Sequence, residues 1–186
     1  MQTPSRARQF TSHFAAIALL FVVTVSHADS SDEQFTRKGK GELFATGMYL
    51  NGEGLEAGSG GVGLSAHIND YFALGLDGAV GGSEVDGENG LSYTFLANIE
   101  YNILKARFTP FLVASAGIVG FETYTGNFFL GSTEETERGA FGGGVGLRWN
   151  IGDHFLVRGS YRAMHITGGR HGGLGHLFEI GLGGMF

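Results

Sequence analysis

The stretch that decides the fold is GGGVGLRWNIGDHFLVRGSYRA, residues 142–163. Its first half alternates, because Val145 and Trp149 share one parity, whereas Arg148 lies on the parity of glycines and polar residues. A short polar turn follows, and the same alternation resumes at Phe155. A period of two is typical of a β-strand with one apolar and one polar face. The stretch therefore predicts a β-hairpin.

The same period extends in both directions along the chain. Alternation is clear over residues 62–68, 72–80, 91–101, 141–149, 155–163 and 178–186, and two further segments, 41–50 and 109–121, are strand-like with an ambiguous phase. The connections at 69–70, 102–108 and 150–153 are short, and those at 50–58, 82–90, 122–138 and 167–175 are long. Short turns at one end and long loops at the other predict an all-β fold, an eight-stranded antiparallel up-and-down transmembrane β-barrel.

A secreted soluble barrel of lipocalin type is the competing architecture, because it also has one apolar face. Two features favour the membrane barrel. Charged residues in mid-strand lie on the parity opposite to the apolar residues. Aromatic residues also gather at strand ends beside the short turns, as expected for a membrane-interface girdle: Phe72, Tyr101, Phe111, Trp149, Phe155 and Phe186.

The N-terminus has the pattern of a secretory signal. Arg6 and Arg8 precede an apolar run at 14–25, which ends in Ser-His-Ala at 26–28. The run is too short to cross a bilayer as a helix. We therefore expect residues 1–28 to be a removed signal peptide, 29–40 a short periplasmic segment and 41–186 the barrel in a bacterial outer membrane.

Composition excludes several classes of function. The chain has no cysteine, so it has neither disulfides nor thiolate metal ligands. Without residues 1–28 it has ten Lys and Arg against eighteen Asp and Glu, a formal charge of 10 − 18 = −8. A nucleic-acid partner requires a concentrated positive stripe, which is absent from this sequence. The 34 glycines include no phosphate-binding loop, and we expect neither a cofactor nor a metal.

Six mid-strand charges are expected inside the barrel. Three acids and three arginines lie on the polar parity: Asp77, Glu100, Glu179, Arg148, Arg158 and Arg162. Buried charges are tolerated when they are paired, and an eight-stranded barrel is just wide enough for side chains to fill it. The balance predicts a closed, ion-paired lumen. A narrow ion channel gated by these pairs is the alternative.

Three segments carry a family resemblance. INDYFALGLDG (68–78) and the hairpin at 142–163 resemble hairpins of OmpA/OmpX-type eight-stranded outer-membrane barrels, and HLFEIGLGGMF (176–186) resembles their C-terminal strand. The resemblance implies an outer-membrane barrel that contacts outer-membrane lipids and lipopolysaccharide. It also implies that the barrel-insertion machinery reads the residues of the last strand: Phe178, Ile180, Leu182 and Phe186.

Two functional hypotheses remain beside a structural role. The long connections are acidic, which suggests solvated loops or a surface ligand, so that adhesion or surface interaction is the expected role. Separately, YRAMHITGG (161–169) with the downstream Glu179 is similar to the active-site region of lipid A 3-O-deacylases. That resemblance implies His165 as the base, Thr167 as the nucleophile in place of serine, and Glu179 as the residue that orients the histidine. Gly168 stands where that family has asparagine.

Overall fold

The computed structural model describes residues 35–52, 54–125, 132–168 and 173–186, with the side chains of 123–125 and 132–135 left undescribed. The chain divides into two units, Met1–Glu33 and Gln34–Phe186, and all described residues belong to the second. The expected signal peptide, 1–28, and residues 29–34 of the expected periplasmic segment lie outside the described residues. No helix among the described residues is long and apolar enough to cross a membrane.

The described chain forms one closed antiparallel barrel, in which each strand pairs with its sequence neighbours and the first strand pairs with the last. This confirms the predicted fold class. The strands are β1 Gly41–Gly52, β2 Leu55–His67, β3 Phe72–Val85, β4 Glu88–Asn102, β5 Phe108–Thr125, β6 Ser132–Ile151, β7 Phe155–Ile166 and β8 Gly173–Met185.

Alternation of side chains sorts each strand into an inner and an outer face. In β4, Leu96 and Glu100 are buried in the lumen, whereas Phe95 and Ile99 are about half exposed on the outside. Large apolar side chains cover the outer wall on all eight strands. Because strand side chains have a period of two, this division follows directly from the sequence alternation.

The two ends of the barrel differ, but less than the sequence suggested. At one end, here called the short-turn end, the chain turns at 68–71, 103–107 and 152–154 and brings Gly41 close to Phe186. At the opposite end, here called the hairpin end, the predicted long loops at 50–58 and 82–90 are wrong, because the strands continue through them. Asp86 and Gly87 have φ values of 52° and 85°, the left-handed conformation of a tight hairpin turn. Acidic residues predicted in loops, such as Glu84, therefore lie on strands.

Candidate functional site

The lumen contains a chain of alternating charges that begins near the short-turn end. Glu42 on β1 contacts Arg148 Nη2 through Oε2 at 3.1 Å. The same nitrogen of Arg148 lies 2.5 Å from Glu100 Oε2, and Arg158 Nη2 donates to Glu100 Oε1 at 2.6 Å. All four side chains are essentially inaccessible to solvent. A buried carboxylate shared by two guanidinium groups keeps both of its oxygens in charge-assisted hydrogen bonds.

The chain of charges continues toward the middle of the barrel. Arg158 Nε lies 3.4 Å from Glu179 Oε1, Glu179 pairs with Arg162, and Arg162 lies 3.1 Å from Asp77 Oδ2. Asn98 Nδ2 donates to Asp77 at 2.6 Å and so closes this end of the network. The structure thus places all six charges from the sequence inside the lumen and brings them into one network. With Glu42, we call the seven charged residues the ionic ladder: Glu42, Arg148, Glu100, Arg158, Glu179, Arg162 and Asp77.

Two aromatic rings contact the arginines of the ladder, and the position of one of them, Phe111, corrects a sequence assignment. Phe111 was expected at the membrane interface, but it is fully buried, and the guanidinium groups of Arg148 and Arg158 lie about 5 Å from its ring. The phase of 109–121 was ambiguous in the sequence, and β5 places Leu112 outside and Phe111 inside. Phe44 lies 4.5 Å from the Arg158 guanidinium in the same way. Cation–π contacts of this kind are strongest where water is excluded.

Glycine makes room for these rings. A Cβ atom on Gly146 would collide with the ring of Phe111, and a Cβ on Gly63 would collide with the ring of Phe44. Both glycines face the lumen, so any side chain there would occupy the space of the two rings that contact the arginines. The lumen glycines are therefore part of the site rather than only of the wall.

Two members of the network could not be assigned from the sequence. Glu42 lies on β1, whose phase was ambiguous, and it was not included among the lumen charges. His67 lies within the alternating segment 62–68, and its Nε2 lies 2.8 Å from Glu42 Oε1. The sequence pattern gave little indication of this pair, because a lone histidine or glutamate at a strand end does not show which residue lies across the lumen.

A second layer of lumen side chains fills the barrel between the ladder and the hairpin end. The sequence pattern predicted a polar lumen and did not indicate this layer. Leu96, Ala79, Leu177 and Met164 lie two residues farther toward the hairpin end than Asn98, Asp77, Glu179 and Arg162 on the same strand faces. They belong to one buried cluster, here called the apolar layer: Met48, Leu50, Leu55, Ala57, Ala79, Leu96, Val119, Phe121, Ala140, Met164, Ile166 and Leu177. The interior is therefore ionic in one half and mainly apolar in the other, where Ser83 and Ser92 are the neighbours of Ala57 and Phe121.

A short N-terminal strap, residues 35–40, crosses the short-turn end. Asp70 accepts hydrogen bonds from Thr36 Oγ1 at 2.8 Å and from the backbone nitrogens of Arg37 and Lys38. The bond from Thr36, together with that from Lys105, holds the pKa of the Asp70 carboxyl well below its usual range. The Arg37 side chain is buried and donates to the carbonyls of residues 104 and 106. Burial, followed by the charge of Arg148, lowers the pKa of Arg37 to about 10.

The remaining predicted aromatic and last-strand residues lie on the outer wall. Exposed outward side chains include five of the six predicted interface aromatics, Phe72, Tyr101, Trp149, Phe155 and Phe186, and three residues of β8, Phe178, Ile180 and Leu182. Phe72 and Tyr101 are directly paired across β3 and β4, with ring centroids 5.0 Å apart. Side chains in these positions contact lipid when the barrel spans a membrane.

The residues of the deacylase-like alternative do not form a site. His165 is exposed on the outer wall against the ring of Phe141, and Thr167 Oγ1 donates to the carbonyl of Gly139 at 3.0 Å. Glu179 is in the lumen, bound to Arg162. His165 pairs with Leu174, five residues (about 16 Å along the strand) from Glu179, and the register shows no bulge. The three residues of this alternative are therefore not brought together, because a strand side chain cannot cross the barrel wall to reach the opposite face.

Within the described ranges, no group of three or more His, Asp or Glu side chains could hold a metal ion. At the hairpin end, Glu56 and Glu84 are directly opposite each other on β2 and β3. Asn51 Nδ2 donates to Glu56 at 3.2 Å. Because these two like charges are directly opposite each other, they repel. Together they give the hairpin end a locally acidic surface.

Comparisons with known proteins agree on the fold. The family model described as outer membrane protein beta-barrel domain matches residues 15–186. A search of curated protein sequences finds no match. Three similar solved structures share the architecture at low sequence identity, which shows the fold alone.

The first is the N-terminal β-barrel domain of Pseudomonas aeruginosa OprF, 16% identical with a TM-score of 0.51, covering 80% of this chain and 98% of that chain. The second is Ail, the attachment invasion locus protein of Yersinia pestis, in complex with the heparin analogue sucrose octasulfate, 16% identical with a TM-score of 0.54, covering 80% and 99%. The third is Neisserial surface protein A, 14% identical with a TM-score of 0.60, covering 78% and 94%.

Proposed function

Because the chain belongs to the outer membrane protein beta-barrel domain family, we propose that it is an integral protein of the bacterial outer membrane with a closed lumen and a structural or surface-interaction role. Residues 1–28 direct export and are removed. The short-turn end faces the periplasm and the hairpin end faces outward, which is the usual orientation of bacterial barrels. Outer-membrane lipids and lipopolysaccharide surround the outer wall, and the insertion machinery reads the last strand.

The observation that carries the closed lumen is the two layers in series. Side chains can fill an eight-stranded barrel, and here an ionic half is followed by an apolar half. An ion that passed the ladder would have to separate buried charge pairs, and it would then meet a mostly apolar layer, in which the buried polar groups are small hydroxyls such as those of Ser83 and Ser92. Desolvating an ion with so few polar ligands is strongly unfavourable. The lumen chemistry therefore supports anchoring rather than conduction.

The outward end supports a role at the cell surface. Acidic residues dominate the sequence of the hairpin end: Glu53, Glu56, Glu84, Asp86, Glu88, Glu122, Glu134, Glu135 and Glu137, against the bases Arg138 and Arg170. One structural relative, Ail, was crystallised with a sulfated sugar analogue. An acidic surface repels such a polyanion, so we do not extend that ligand to this chain. The surface is suited instead to a cationic partner.

Conductance in planar bilayers tests the proposal. We expect the purified barrel, verified as folded by heat-modifiable migration on gels, to give no stepwise ion conductance. Arg158→Ala removes one guanidinium group from the ionic ladder and leaves the apolar layer intact, and we expect this variant to give no stepwise conductance either. Regular conductance steps whose size changes in Arg158→Ala would identify the lumen as an ion path and would establish the channel alternative instead.

A further inference from the structure

Within the part of the chain that the structure describes, one strand edge at the hairpin end has no neighbouring strand. Along its whole length up to Ser132, β6 pairs with β5, but its pairing with β7 stops at Ala140. The last contact on that side is a hydrogen bond from the Thr167 nitrogen to the Gly139 carbonyl, 2.7 Å long. Among the described residues, the backbone of 132–138 therefore has a neighbour on one side only. We call this segment the free edge.

The direction of the backbone groups follows from that last contact. The Gly139 carbonyl points toward β7. In an antiparallel sheet, residues two apart along a strand direct their backbone N–H and C=O groups to the same side. Residues 137, 135 and 133 thus present their N–H and C=O groups to the open side. Residues 138, 136 and 134 turn theirs toward β5. An unpaired row of this kind is a template for one more strand.

The free edge is braced from the neighbouring strands. The hydroxyl of Tyr93 on β4 donates to Glu137 Oε1 at 2.5 Å and thereby crosses β5. It does so over Gly120, where any Cβ atom would collide with the tyrosine ring. The brace ties β4, β5 and β6 together where the hairpin extends past β7. A strand edge held in its extended conformation loses less conformational entropy when a partner binds.

The charge of the segment indicates what can bind. The free edge reads STEETER, with Glu134, Glu135 and Glu137 against Arg138, and it continues the acidic surface of the hairpin end. Sheet edges are often protected by lysine, which repels basic strands; this edge instead attracts them and repels acidic ones. Charge complementarity therefore selects an extended, cationic segment among strands that could pair here.

We propose that the free edge, residues 132–138, binds an extended cationic segment of another protein by adding it as a strand beside β6. This inference rests on the proposed function only for the outward orientation of the hairpin end. Backbone hydrogen bonds to residues 133, 135 and 137 hold the segment, and the net negative charge of the free edge attracts its basic side chains. Binding of this type depends on backbone N–H groups as well as on charge.

The test uses the full barrel in detergent micelles and a fluorescent peptide of about eight alternating lysines and threonines, close to the length of a natural strand. The control peptide has the same sequence with every backbone amide N-methylated, so it has equal charge but cannot donate. We expect the unmodified peptide to bind at least about fivefold more tightly than the methylated one, a ratio that corresponds to about one net backbone hydrogen bond.

A matched pair of variants locates the site. Glu135→Pro removes the charge and puts a proline ring in place of the N–H on the open side, where the ring prevents any strand from pairing without touching the β5 ladder, and Glu135→Gln removes only the charge. We expect the fivefold preference to survive in Glu135→Gln, with weaker binding of both peptides, and to fall to about one in Glu135→Pro. Equal binding of the two peptides by the unmodified barrel, or a preserved preference in Glu135→Pro, would overturn the proposal. Neither result depends on conductance, so the closed lumen is tested separately.

Discussion

Arg158 is the centre of the ionic ladder, and replacing it measures what the ladder contributes to stability. Arg158→Met keeps most of the side-chain volume but removes a charge shared by Glu100 at 2.6 Å and Glu179 at 3.4 Å. Removing one partner from a buried ion pair costs about 3–5 kcal/mol. Both carboxylates retain a second arginine, Arg148 and Arg162 respectively, so we expect the lower end, about 3 kcal/mol of unfolding free energy.

The ladder also predicts an order among variants. Among the described residues, Arg162 is the only arginine that forms an ion pair with Asp77, so Arg162→Met leaves that carboxylate with Asn98 and should cost more, about 5 kcal/mol. Arg107 forms an exposed ion pair with Asp153, and Arg107→Met should cost about 1 kcal/mol or less.

Urea unfolding in lipid vesicles, followed by the fluorescence of the single tryptophan, Trp149 on the outer wall, measures all three variants. The reasoning is refuted if Arg158→Met stays within about 1 kcal/mol of the unmodified barrel, or if Arg107→Met costs as much.

Two further predictions concern the packing of the Phe111 ring and the N-terminal strap. Gly146→Ala should lower the unfolding free energy by about 1–3 kcal/mol, because its Cβ collides with the Phe111 ring, whereas Gly82→Ala, with open space around it, should change it by less than about 0.5 kcal/mol in the same urea assay. Equal effects would exclude the packing explanation. Asp70→Asn should release the strap and speed tryptic cleavage after Lys38 at neutral pH. Because the folded-state pKa of Asp70 is depressed, its contribution is complete above about pH 4, the unfolded value, and is lost as the pH falls toward the folded-state pKa; unchanged cleavage would show that Asp70 does not anchor the strap.

Much of the fold could be predicted because strand alternation is a local property. The segment 91–101 shows which of its side chains share a face whatever the rest of the chain does, and the structure gives β4 with that phase. Where a segment mixes small and apolar residues, the phase is undetermined, and Phe111 was assigned to the wrong side for that reason. The extended hairpins were also missed, because acidic and glycine-rich strands above a membrane have the composition of loops.

The sequence by itself determined the barrel, its inner and outer faces and the charged character of the lumen, because a period of two requires no knowledge of distant residues. Only the tertiary structure decided which charges meet. Arg148 and Glu42 are 106 positions apart, and their contact depends on the closure of β1 against β8 and on the stagger of all eight strands. The same stagger separates Glu179 from His165 and stacks the apolar layer on the ladder. Strand register is a property of the whole closed sheet, so no single segment specifies it.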